Sequence, residues 1–262
     1  MVKILRSYEK IVTLFANIPR SQYLPLEYIE GGDFRDTLNQ DPRLILLLPI
    51  PCSIIIKTQK GSAVKAVIRL AHESDALKML AIYAPVVRET PISFEIEPPS
   101  QTEFEGRINN YQQQMPWLVC EINGELLGYA YATPYRTRAA YQWSVESSVY
   151  VNAEHRRKGV AKALYTSLFG LLQLQGFYNV FAAIALPNPA SVAVHEAVGF
   201  SPVGVFCRVG YKFSEWHDVG WWQLSLQQEL PFPVNQPLSL LEVQKSSLWN
   251  EVLRSGLLLL RI

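Results

Sequence analysis

The residues Trp143–Ala161, WSVESSVYVNAEHRRKGVA, constrain this chain more than any other stretch. Trp143 to Val151 is rich in β-branched and aromatic residues and contains no Pro or Gly, which predicts a mostly buried strand. Glu146 sits in its middle. Burying an unpaired carboxylate is costly, so Glu146 must be partnered, open to a cleft, or raised in pKa; an edge or salt-bridged Glu is the plainer alternative. Next, Arg156-Arg157-Lys158-Gly159-Val160-Ala161 places three cations, a Gly and a small residue before a helical pattern over Lys162 to Leu174. Free backbone N–H groups at such a helix start suit a phosphate or pyrophosphate. Gly159 and Ala161, being small, let the backbone approach the anion. A solvated basic loop that caps a helix has the same composition. With neither GxxxxGK[ST] nor GxGxxG present, the segment is not a P-loop or a dinucleotide fingerprint.

The chain has 262 residues, 49% of them hydrophobic, enough for one domain with a full core, although length alone would also permit two. A net charge of +1 argues against binding nucleic acid or an anionic membrane. Cys52, Cys120 and Cys207 are odd in number and lack CxxC spacing, so they suggest neither a disulfide framework nor a zinc site, which fits a reducing cytoplasm. The run Leu44 to Ile56 is broken by Pro49 and Pro51 and is too short to span a bilayer. It lacks the position and cleavage site of a signal peptide. Residues 1–65 read as an N-terminal extension of no assigned role, 66–230 as the domain, and 231–262 as a tail. The tail's Gly-Leu-Leu-Leu-Leu-Arg-Ile end would pack on the domain or on a partner chain.

From Ala66 the texture is regular. VIRLA reads as a strand, and Ser74-Asp75 supplies an N-cap for a helix through Tyr83 that Pro85 stops. Thr102 to Gln113 reads as a second helix. Trp117 to Ile122 and Glu125 to Ala132 read as strands joined by Asn123-Gly124, the dipeptide of a type I′ hairpin. The loop Thr133 to Tyr141 carries Arg136, Arg138 and two tyrosines; it suits bidentate grip on carboxylate or phosphinate oxygens, or is a solvated turn. After the basic loop, Leu164, Leu168, Leu171 and Leu172 form a core stripe, and Gly176 ends the helix. Phe177 to Leu186 follows as a buried strand. Ser191 then caps a short helix holding His195, and Val203 to Val209 with His217 to Leu226 forms a last hairpin. Taken alone, His195 is a satisfied structural histidine, and neither Cys120 nor Cys207 is placed like a nucleophile with its base.

Arg156-x-x-Gly159-x-Ala161, directly after a strand, resembles the [Q/R]-x-x-G-x-[G/A] loop with which the GNAT N-acetyltransferase superfamily holds the pyrophosphate of acetyl-CoA. More narrowly, WSVESSVYVNAEHRRKGVAKALYTSL, LQGFYNVFAAIALPNPASVAVHEAVGF and VGYKFSEWHDVGWWQL are similar to the phosphinothricin N-acetyltransferase family. The likeness is collinear from about Val67 to Leu230. It implies an α/β GNAT fold, a mixed and mostly antiparallel sheet with flanking helices. It implies acetyl-CoA as co-substrate, without a metal, held by Arg156, Arg157, Lys158, Gly159, Val160, Ala161 and Lys162. The Val149, Tyr150 and Val151 strand edge would pair with pantetheine and stabilise an oxyanion, and Asn188 would anchor the pantetheine arm.

For the acceptor, the resemblance implies a small-molecule α-amine of the phosphinothricin kind. Glu146 would be the general base, His195 in HEAVGF its assistant, and Phe94, Arg136, Arg138 and Tyr141 would line the pocket. Position 136 is Arg where family members can have Lys, which alters fork geometry and substrate preference. A homodimer is also expected. The alternatives are a GNAT enzyme for another small amine (methionine sulfone or sulfoximine, an arsenical analogue, a peptide N-terminus) and a non-catalytic CoA-binding module.

Overall fold

The computed structural model describes residues 54–57, 63–227 and 234–261; Cys52 and most of the N-terminal extension lie outside them. The strands are β1 (Ile54–Lys57), β2 (Ala63–Leu70), β3 (Trp117–Ile122), β4 (Glu125–Pro134), β5 (Ser144–Val151), β6 (Asn179–Leu186), β7 (Ser201–Lys212) and β8 (Glu215–Ser225). They form one sheet in the order β1-β2-β3-β4-β5-β6-β8-β7. Every pairing is antiparallel except β5 with β6, which is parallel. Asn123 and Gly124 take φ of 49° and 83°, as a type I′ turn between β3 and β4 requires. Phe213 and Ser214 do the same at the β7–β8 tip, with φ of 53° and 62°.

One face of the sheet carries α1 (Ala76–Glu89) and α2 (Gln101–Gln112), whose Met79, Ile82, Phe104 and Ile108 pack on Trp117, Val119 and Tyr129. The other carries α3 (Val160–Gln175) over Leu118, Cys120, Ala130, Val145 and Val180, with α4 (Pro189–Ala197) beside it. Strand alternation makes the two faces, since Leu118 and Val119 belong to different cores.

Two local expectations are corrected. Pro85 does not stop the first helix but lies inside α1. A proline there costs about 3 kcal/mol, and tertiary contacts offset it: Tyr83 and Val87 are buried, and Lys212 Nζ donates to the Val87 carbonyl at 2.6 Å. Secondly, Asn188 rather than Ser191 caps α4, its Oδ1 accepting from Ser191 N–H at 3.1 Å, with Pro189 in the first turn.

The tail is folded. α5 (Leu240–Val243), α6 (Trp249–Arg254) and the 3₁₀ segment Ser255–Leu259 put Leu240, Val243, Trp249, Val252, Leu253, Leu257 and Leu260 into the α3 core. At about 1.5–3 kcal/mol for each large apolar side chain removed from water, this burial is a major source of cohesion on that face. It also explains why α3 is apolar nearly all round, with Leu164, Tyr165, Leu168, Leu171 and Leu172 all fully buried.

Candidate active site

β5 lies between β4 and β6, and Glu146 pairs with Thr133 on one side and Phe181 on the other. Its ladder with β6 covers only Ser144–Glu146, whereas β6 continues to Leu186 paired with β8. Beyond Glu146 the β6-facing edge of β5 therefore has no ladder partner, and an extended chain with amide groups can add there as a strand does. This edge contains Val149, Tyr150 and Val151. The Tyr150 ring is committed elsewhere, 4.9 Å from Tyr83 and 5.3 Å from Tyr129, so only its backbone is available to a ligand on that edge.

Val145 is buried beneath α3, and alternation turns Glu146 to the opposite, aromatic face. Its neighbour Phe181 stacks on Tyr135 at 4.4 Å, and Tyr135 meets Trp221 edge-on at 6.1 Å. The Arg136 guanidinium lies over Tyr135 at 4.2 Å and over Trp221 at 5.8 Å, and Arg136 also donates to the Tyr135 carbonyl at 2.7 Å. Tyr141 joins the group, 5.8 Å from Tyr135. Desolvation raises the Glu146 pKa above the usual carboxylate value, and the Arg136 charge partly opposes it. A half-buried carboxylate beside one cation and an aromatic wall can accept a proton from a bound ammonium. Phe181 and Trp221 escape a sequence reading, whereas Tyr135 is one of the two tyrosines of the basic loop, and the only signal for Trp221 is its place in GWWQ. Its indole Nε1 is buried without a hydrogen-bond partner among the described residues.

Arg138 precedes the 3₁₀ turn Ala139–Tyr141 and is exposed. Phe94 belongs to a separate group. Its ring fills the space where a Gly210 Cβ would be, 2.1 Å from Phe94 Cε2, and lies 6.2 Å from His217. The loop before it is pinned by buried Lys212, whose ammonium donates to the carbonyls of Val87, Thr90 and Ser93 at 2.6, 3.1 and 2.7 Å.

His195 lies across the sheet from Glu146, among Tyr165, Phe169 and Phe200. Its Nδ1 stands 2.8 Å from the Ser191 carbonyl, which only accepts, so Nδ1 carries the proton and Nε2 accepts from the Tyr165 hydroxyl at 2.9 Å. Both nitrogens are engaged, and the two predicted catalytic side chains are not brought into contact. Burial lowers the His195 pKa from its ordinary 6.5. The unfolded chain thus binds this proton more readily, so the contribution to stability is complete above the unfolded pKa and is lost as pH falls through it toward the folded one. We expect the melting temperature to fall on acidification from about pH 7 to 5, and His195→Gln to flatten that slope. An identical slope in the variant would refute the assignment.

In the basic loop, Asn152 Oδ1 accepts from Glu154 N–H at 3.1 Å, Arg157 takes φ of 63° and Gly159 takes φ of 81°. The first intrahelical bond runs from Ala163 N–H to Gly159 O at 2.9 Å, which leaves the N–H groups of Val160, Ala161 and Lys162 as the orphan donors of a helix start. Gly128 lets this start seat on the sheet, since a Cβ there would stand 3.1 Å from Val160 Cγ1 and 2.7 Å from Tyr150 O. Arg156 and Arg157 are exposed. Lys158 Nζ lies 3.2 Å from His155 Nδ1, and His155 Nε2 meets Glu125 at 2.7 Å, so that cation is partly engaged. The smallness of Gly159 has a reason the sequence does not show: an added Cβ would stand 2.1 Å from the Leu259 carbonyl. Burial pushes the Cys120 thiol up to about 12, which keeps it protonated and unreactive.

β5 thus parts from its parallel neighbour beyond Glu146 and is followed by an anion-suited helix start. Residues 68–221 match the acetyltransferase (GNAT) domain family, and the chain belongs to it. Over 166 residues it is 41% identical to a phosphinothricin N-acetyltransferase of Streptomyces viridochromogenes, covering 63% of this chain and 90% of that protein. An L-methionine sulfoximine/L-methionine sulfone acetyltransferase of Pseudomonas paraeruginosa is 35% identical over 169 residues, 62% of this chain and 95% of that one. Among solved structures, a GNAT superfamily phosphinothricin acetyltransferase from Sinorhizobium meliloti in complex with AcCoA superposes with a TM-score of 0.60 at 32% identity, covering 66% of this chain and 92% of that one. The protein is thus a GNAT N-acetyltransferase related to the phosphinothricin and methionine sulfoximine enzymes. No helix among the described residues is long and apolar enough to cross a membrane.

Proposed function

We propose that this protein transfers the acetyl group of acetyl-CoA to the α-amine of a small amino-acid analogue of the phosphinothricin type, a detoxification reaction, by direct transfer with Glu146 as general base. The observation that carries this reading is Glu146 itself, paired with Phe181 at the last position of the β5–β6 ladder, raised in pKa by desolvation and felt by the Arg136 charge. An α-amine is mostly ammonium near neutral pH, and only its free lone pair attacks a thioester. Glu146, directly or through a water, takes that proton. The nitrogen then bonds to the acetyl carbon, the carbon–sulfur bond breaks, and the electron pair and a proton end on the CoA sulfur. A backbone N–H on the Val149–Val151 edge meets the charge developing on the carbonyl oxygen. Orphan N–H groups at Val160–Lys162, with Arg156 and Arg157 beside them, suit a pyrophosphate. Asn188, whose Oδ1 accepts from its own helix, is assigned to hold pantetheine through its amide Nδ2.

Arg136, Arg138 and Tyr141 are assigned to the anionic end of the acceptor, with Phe94 as a more distant wall. Arg138→Ala is expected to lower kcat/KM for phosphinothricin by about 10- to 100-fold, the scale of a charged hydrogen bond. Phosphinothricin, methionine sulfoximine and glutamate should be compared by release of free CoA. If none reacts above background, or if the variant is indifferent, the amino-acid-analogue reading fails. The relative from Pseudomonas paraeruginosa supports methionine sulfoximine as the second reading.

We also read residues 66–230 as the acetyltransferase domain, place the protein in the cytoplasm, and assign it a homodimer. Supporting the dimer, edge strand β7 and the hairpin tip expose Val205, Phe206, Val209, Tyr211 and Trp216 at 50–61%, an apolar patch of the kind that seats a partner. Sedimentation at micromolar concentration would test it.

A further inference from the structure

The described part of the tail, 234–261, lies outside the 68–221 that match the family, yet it is fastened along the whole of α3. At the C-terminal end of the helix, Gln175 Nε2 donates to the Leu238 carbonyl at 2.9 Å, and Leu238 N–H donates to the Gln175 carbonyl at 2.7 Å. Toward the other end, Gly256 N–H donates to the buried Ser167 hydroxyl at 3.1 Å. Gly159, Ala163 and Ser167 recur every four residues and so form one strip of small residues along the helix. The 3₁₀ segment lies in that strip at backbone distance: a Cβ on Gly256 would be 1.8 Å from the Ala163 carbonyl, and one on Gly159 would be 2.1 Å from the Leu259 carbonyl. The strip ends at the basic loop, where Arg261 N–H donates to the Lys158 carbonyl at 2.9 Å.

That last bond bears on the site. The Lys158 carbonyl and the Gly159 N–H belong to one planar trans peptide, in which C=O and N–H point in opposite directions. Holding the carbonyl toward the tail therefore fixes the Gly159 N–H away from it. We infer that the Arg261 backbone N–H is a positioning group for acetyl-CoA binding: it orients the Lys158–Gly159 peptide, and the C-terminal tail is thereby part of the anion site. The inference rests on the reading of this loop as the acetyl-CoA site.

Arg261→Pro removes the backbone donor together with the side chain. Leu260 already has φ of −70° and ψ of 136°, the conformation favoured before a proline. Arg261→Ala keeps the N–H and loses the side chain. Calorimetry with acetyl-CoA is expected to show Kd about three- to five-fold higher in Arg261→Pro than in Arg261→Ala, the scale of one hydrogen bond. At saturating acetyl-CoA, kcat and the KM of the amine should match wild type. Hydrogen exchange without ligand should be faster at 157–161 in Arg261→Pro. Val252→Ala, in the same tail but in α6, is the control for plain destabilisation, with a lower melting temperature and an unchanged Kd. The inference is overturned if Arg261→Pro and Arg261→Ala bind alike, or if Val252→Ala raises Kd as much. Should Arg261→Pro not fold, an amide-to-ester replacement of the Leu260–Arg261 linkage removes the same N–H and keeps the side chain, and an unchanged Kd there likewise overturns it. A wild type that binds no acetyl-CoA would instead defeat the proposed function on which the inference rests.

Discussion

Replacing Glu146 by Gln is expected to cut kcat by about 10²-fold or more, the usual scale of general base catalysis, with little change in acetyl-CoA affinity. Gln keeps the shape and one carbonyl oxygen but cannot take the proton. Because desolvation raises the Glu146 pKa, the wild-type rate should rise with pH as this group loses its proton, and the rise should begin above the usual carboxylate range. The variant should lose that acidic limb. The Arg136 charge works against the desolvation, so Arg136→Ala should move the limb to higher pH. Rates measured across about pH 5 to 9 decide the matter, and a near-wild-type rate for Glu146→Gln throughout removes Glu146 from the mechanism.

Replacing Gly159 by Asp is expected to weaken acetyl-CoA binding by about 100-fold or more, the product of three separate effects. A side chain at φ of 81° is strained, its Cβ would stand 2.1 Å from the Leu259 carbonyl, and its carboxylate would repel a pyrophosphate. Gly159→Ala keeps the first two effects and omits the charge, so the difference between the variants in calorimetry isolates the electrostatic part. Undiminished acetyl-CoA binding by Gly159→Asp would show that the anion site is elsewhere.

Local chemistry made much of this protein legible from its residues. Asn123-Gly124 specifies its turn because few residues tolerate positive φ there, and Gly176 ends α3 in the left-handed conformation for the same reason. The strand of Trp143 to Val151, with the Gly-containing loop and helix after it, is set by side-chain shape and period, and the motifs along it mark the family. Pro85 shows where such reasoning stops. Its local cost is real, but burial of Val87 and the Lys212 clamp from a strand more than a hundred residues later hold the helix through it.

The candidate site divides in the same way. Glu146 was visible in the sequence because a carboxylate on an apolar strand demands a reason. That it faces Phe181 while His195 lies beneath the opposite face follows from strand pairing and from the side on which α4 packs, neither of which is a local property. Tyr135 and Trp221 are 86 positions apart in the sequence and meet only because β8 lies beside β6. The tail is the clearest case. Its composition shows that it is apolar and must be covered, whereas only the fold decides that it is covered by α3 and that the Arg261 N–H reaches Lys158. A sequence fixes what a segment can bury and how its backbone can turn. Which partner it buries against is decided by the packing of the whole chain, because hydrophobic burial has no direction of its own.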